Sequence, residues 1–98
     1  DLLPDAFLAG NDLSAVGCIN ALNVEGYQVP DDISVIGFDD IDIAQYYKPS
    51  LTTVKNPIAR QGVLAVDTLV ALIEEKEEGR IKQLEGRLIV RESCAVKY

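Results

Sequence analysis

Two short runs of this chain end in side chains that could hold a hydroxylated molecule. The run AFLAGND, residues 6–12, finishes in Asn11 and Asp12, and VIGFDD, residues 35–40, finishes in Asp39 and Asp40. A third segment ends in Lys55 and Asn56. A carboxylate accepts two hydroxyl donors in one plane, and an amide both donates and accepts. Groups of this kind reject analogues that lack the hydroxyl, because the buried carboxylate would be left unpaired. The chemistry suits a polyol or a nucleoside-like ligand. The same residue types start helices, so Asp12 and Asp40 also read as caps, and on spacing alone the two readings stand level. Paired carboxylates invite a hydrolase reading as well. Nothing in the sequence raises the pKa of one acid while sparing its neighbour, and no nucleophile stands beside a base, so the expectation is that the chain is not an enzyme.

The elements that must position these residues follow from the apolar pattern. Residues 6–9 form a short apolar run, read as a strand. A helical stretch follows, with Ala15, Cys18, Ile19 and Leu22 on one face. Asn11 or Asp12 is placed to cap it, and Gly26 suits the left-handed position past its end. The turn-rich YQVPDD leads into ISVIGF, a continuous β-branched run of the sort buried on both faces in parallel sheets. Strand, helix and strand make a βαβ unit. If its two strands are parallel, their polar doublets lie on one edge of the sheet, where open α/β sheets bind ligands. DIDIAQYY reads as a short helix and KPSLTTVKNP as an extended segment bracketed by Pro49 and Pro57. The longest helix is expected from residue 57 to residue 78, with an acidic solvated tip and Gly79 as its stop. Ile58, Gly62, Ala65, Val66, Leu69, Leu72 and Ile73 form its apolar stripe. QLEGRLIVRES closes the chain as a strand, with Gly86 at an irregularity.

Composition limits the partners. The 98 residues suffice for one domain at most. Nine basic against sixteen acidic residues give a net charge of −7, a poor surface for nucleic acid or an anionic membrane. Histidine is absent, which excludes His-based metal sites and Ser-His or Cys-His catalysis within the chain. No metal or cofactor is expected. No apolar run approaches the ~20 residues that cross a bilayer, and no secretory leader is visible. Cys18 and Cys94 are far apart, read as small buried hydrophobes, and suit a reducing cytoplasm.

Four motifs, in order and spacing, give a closer reading. NDLSAVG, VPDDISVIGFDD, PSLTTV and the late RES resemble the C-terminal part of the effector-binding domain of LacI/GalR-family bacterial transcription regulators. The resemblance implies an α/β fold of βαβ units with a mostly parallel sheet, a partial lobe of the periplasmic-binding-protein type. It implies that residues 1–55 and 80–98 belong to one lobe, and that the helix within 56–79 packs on the other. It implies a sugar-like or nucleobase-like effector between the lobes, a homodimer, and operator DNA reached only through a helix-turn-helix headpiece outside this chain. Carried over by position, Asn11 and Asp39 match effector-contacting residues, while Ile58 lies near a contact position but reads better as helix packing. Val16, Asn20, Ile43, Tyr46 and Tyr47 map onto a two-fold dimer face, with the tyrosines covering this lobe's own core as the alternative. The helix stripe is expected to find cover on this chain's sheet or on a partner chain. A periplasmic sugar-binding protein of a transport system, built on the same fold, is the second reading.

Overall fold

The computed structural model describes residues 3–76 and 83–96. The chain forms β1 (Ala6–Leu8), α1 (Asp12–Val24), β2 (Ser34–Ile36), α2 (Ile43–Tyr46), β3 (Thr53–Lys55), α3 (Ile58–Ile73) and β4 (Arg87–Ile89) in that order. It divides into two compact units, residues 1–55 with 87–98, and residues 56–86.

In the first unit β1, α1 and β2 make the expected βαβ crossover. β1 and β2 pair in parallel, with Ala6 opposite Ser34 and Leu8 opposite Ile36. Two parallel bridges, Ile36 to Thr52 and Asp39 to Lys55, carry the ladder on to the β3 segment. β4 then returns antiparallel to β3, with Thr53 opposite Ile89 and Lys55 opposite Arg87. α1 lays Ala15 and Ile19 on the sheet, and both are fully buried with Val35, Ile33 and Leu51. Leu22 and Cys18 pack against the same core from its margin. Each large aliphatic side chain so buried contributes about 1.5–3 kcal/mol. Gly26, at φ +91°, takes the left-handed position beyond the helix end, as the sequence predicts. The cysteines are both free, and each is partly exposed where full burial was expected.

The second unit is dominated by α3, which starts behind Pro57. It is shorter than its sequence predicts: the helix stops at Ile73, Glu74 is its cap and Glu75 turns to φ +58°. Glutamates at a helix C-terminus face the negative end of the helix dipole, so the acidic run opposes extension. Residues 77–79 of the expected tip lie outside the described residues. No residue of α3 is buried. Val63, Val66 and Leu69 are more than half exposed.

Candidate functional site

The ends of β1 and β2 meet through a backbone bond. The Asp12 N–H donates to the Phe38 carbonyl at 3.1 Å. Asn11 and Asp39 therefore flank one pair of bonded peptide units on the same edge of the sheet. Beside them Leu8, Ala9, Gly10 and Phe38 line a concavity of about 330 Å3. Neither Asn11 nor Asp39 lines that hollow itself; each is the next residue along from its rim.

Asn11 caps α1. Its Oδ1 accepts from the Ser14 N–H at 2.8 Å, and its backbone is extended, as a cap requires. The capping bond uses the amide oxygen and leaves the Nδ2 donors outside it. Asp39 is half-buried and sits in left-handed backbone, φ +118°, followed by Asp40 at φ +55°. Such conformations cost a non-glycine residue about 1–3 kcal/mol and concentrate at functional sites. The Asp39 N–H donates to the Val54 carbonyl at 2.9 Å, which ties the corner to β3.

The other members of the doublets hold the edge together. Asp12 is fully buried. Its Oδ1 accepts from the Thr53 hydroxyl at 2.6 Å and its Oδ2 from the Ile41 N–H at 2.8 Å. Asp40 pairs with Arg91 at 2.8 Å, and the two side chains are 13 % and 18 % exposed. Arg91 also donates to the Leu51 carbonyl. Glu92 accepts from both the N–H and the hydroxyl of Ser50, 2.9 and 3.1 Å, with Lys48 at 3.9 Å. These bonds hold its carboxyl below the ordinary value, Ser50 first and Lys48 last. Ser93 is fully buried between strands. Its Oγ donates to the Val35 carbonyl and accepts from the Thr52 N–H. Sequence reasoning singled out RES only as a motif. Its physical role, a clamp joining β2, β3 and the strand-end acids, depends on partners 40 to 58 positions away.

The other expected site residues are placed as follows. Asn20 is exposed and Val16 half-buried on α1. On α2, Ile43 and Tyr46 are exposed, Tyr46 at 70 %. Tyr47 packs against the core of the first unit. Ile58 is exposed at the start of α3. A concavity of about 340 Å3 within the second unit is lined by Ala59, Arg60, Val63, Leu64, Asp67 and Leu84. Among the described residues no cluster of three or more acidic or cysteine ligands is arranged for a metal ion, and no helix is long and apolar enough to cross a membrane.

A parallel βαβ unit with polar strand ends on one edge is the ligand-binding arrangement of an open α/β domain. The chain belongs to the periplasmic binding protein-like domain family, whose model matches residues 1–94. Its relatives are LacI-type transcription regulators, as the motifs imply, and the transport alternative is not favoured. It is 47 % identical over 91 residues to a protein named probable HTH-type transcriptional repressor ExuR of Bacillus subtilis, covering 92 % of this chain and 27 % of that protein. The crystal structure of the lac repressor dimer bound to operator and the anti-inducer ONPF superposes with a TM-score of 0.90 at 33 % identity, over 96 % of this chain and 33 % of that one. A LacI-family regulator from Enterococcus faecium with bound ribose superposes at 0.84 with 35 % identity, over 96 % of this chain and 35 % of that one. The chain thus spans little more than a quarter of the curated relative's length.

Proposed function

We propose that this chain is part of the effector-sensing and dimerisation domain of a cytoplasmic bacterial transcription regulator of the LacI/GalR type, without enzymatic activity. A small sugar-like or nucleobase-like ligand is contacted by the Asp39 carboxylate and the Asn11 amide. The observation that carries this reading is the bond between Asp12 N–H and the Phe38 carbonyl, which puts the two strand ends side by side. The strained backbone at Asp39 supports it, and so does the likeness to a regulator that holds ribose. Operator DNA is bound through a headpiece outside this chain, consistent with the net charge of −7 here. The dimer face uses Val16, Asn20, Ile43 and Tyr46. Exposed Ile43 and Tyr46 support it, since tyrosine joins a large apolar body to a polar tip. Tyr47 contributes from the core side.

The test is calorimetric titration of the full-length protein with D-ribose, D-galactose and hypoxanthine. Asp39→Asn is expected to weaken the binding probe by about tenfold or more, the scale of a lost hydrogen bond to a charged group. Asn11→Ser keeps an oxygen for the α1 cap but removes the amide donors, so it should weaken binding while leaving stability within about 0.5 kcal/mol. Wild-type affinity in both variants refutes the assignment.

A further inference from the structure

Asp12 has no part in the ligand contacts just proposed, yet it is the acid most completely withdrawn from solvent in the doublets. It does not cap α1, because Asn11 does. Its carboxylate turns inward instead, to the Thr53 hydroxyl and the Ile41 N–H. Thr53 Oγ1 in turn accepts from the Asp40 N–H at 3.3 Å. Both routes end on the residues that directly follow Asp39. Gly37 completes the arrangement: a Cβ there would collide with the Asp12 carboxylate and come within 2.9 Å of Leu51 Cδ2. Asp39 and Asp40 hold left-handed backbone, which non-glycine residues keep only where the surroundings over-determine it.

The geometry points to Asp12 as the positioning residue of the candidate site: its buried carboxylate pins the Asp39–Asp40 corner against β3 and so fixes the backbone from which the Asp39 carboxylate projects. This rests on the reading of Asp39 as a ligand contact. The chemistry requires a carboxylate. The Ile41 N–H only donates, and the Thr53 hydroxyl donates to Asp12 while accepting from Asp40. An amide at position 12 keeps one acceptor oxygen and replaces the other with an NH2 group that only donates. With its oxygen on Ile41, its NH2 faces Thr53, and the hydroxyl proton loses its acceptor.

The experiment uses the full-length protein with Asp12→Asn, Thr53→Val, Asp39→Asn and the double variant Asp12→Asn/Asp39→Asn. Without ligand, hydrogen exchange resolved by mass spectrometry reads the loop at residues 37–47. Asp12→Asn and Thr53→Val are expected to speed exchange there about tenfold or more, with α1 amides around Ile19 unchanged, whereas Asp39→Asn leaves the loop protected. Titration with D-ribose, D-galactose and hypoxanthine reads the consequence. Asp12→Asn is expected to weaken the binding probe about tenfold in the wild-type background and to add nothing in the Asp39→Asn background, the mark of action through that residue. Unchanged loop exchange, or an additive loss in the double variant, overturns the proposal. If Asp39→Asn alone binds like wild type, the site assignment fails, and the exchange result still decides whether Asp12 pins the corner. Should Asp12→Asn not fold, Thr53→Val carries both measurements, because it removes one arm of the clamp and leaves the Asp12–Ile41 bond in place.

Discussion

Ser93→Ala removes a single oxygen from the structure and should cost far more than its size suggests. The Ser93 hydroxyl donates to the Val35 carbonyl and accepts from the Thr52 N–H at 2.9 Å. Ser93 and Val35 are fully buried and Thr52 nearly so, so water does not replace it. Each buried donor or acceptor left unpaired costs about 1–3 kcal/mol. Val35 keeps the weak Cys94 thiol at 3.7 Å, which places its share at the low end. The sum is about 2–4 kcal/mol, a large part of the 5–15 kcal/mol that holds a typical domain. The assay is urea unfolding of the full-length protein, reading the midpoint and slope of the domain's transition. Ser93→Cys, which keeps a weak donor and acceptor of similar size, should fall between wild type and alanine. A loss below about 0.5 kcal/mol for Ser93→Ala, or a cysteine variant no better than alanine, would refute the clamp.

Two further outcomes follow from neighbouring contacts. Gly37→Ala should destabilise by about 1–3 kcal/mol in the same urea assay, the range of an overpacked core, because its Cβ meets the Asp12 carboxylate and Leu51 and the former is held by two hydrogen bonds; a neutral result means that β2 yields at that point. The Glu92 carboxyl titrates below its ordinary value of 4.5 because it accepts from Ser50 and faces Lys48. The unfolded chain therefore takes up this proton first, so the stabilisation is present above that value and is lost as pH falls through the lower folded one. Glu92→Gln should be less stable than wild type near neutral pH and indistinguishable from it in strong acid, and a pH-independent difference would count against the Ser50 bonds as its source.

How much of this was legible in the sequence depended on how local the cause was. The β1 and β2 runs, the buried face of α1 and the glycine past its end all follow from spacing within one element, and the structure has them. The parallel pairing followed from an apolar run long enough to be covered on both faces. What spacing left open was the division of labour within the doublets. Asn11 and Asp12 were equal candidates for the cap, and only the Thr53 hydroxyl, 41 positions on, draws Asp12 inward and leaves the cap to Asn11. Asp40 read as a cap too, but Arg91, 51 positions away, claims it. α3 was overextended because apolar periodicity says nothing about the cost of acids at a helix C-terminus, which takes the backbone left-handed at Glu75.

Lys55 and Arg87 stand opposite each other in the β3–β4 ladder, so the chain departs for residues 56–86 and comes back through a single gap in the first unit. That gap is as narrow as the spacing of two paired strands, about 5 Å. A two-residue Asn-Gly turn spans it in ordinary hairpins. The excursion is therefore a detachable insert in topological terms: cutting it out and sealing the break would turn β3 and β4 into a plain hairpin, with Asp12, Asp40, Arg91 and Ser93 all retained on the piece that remains.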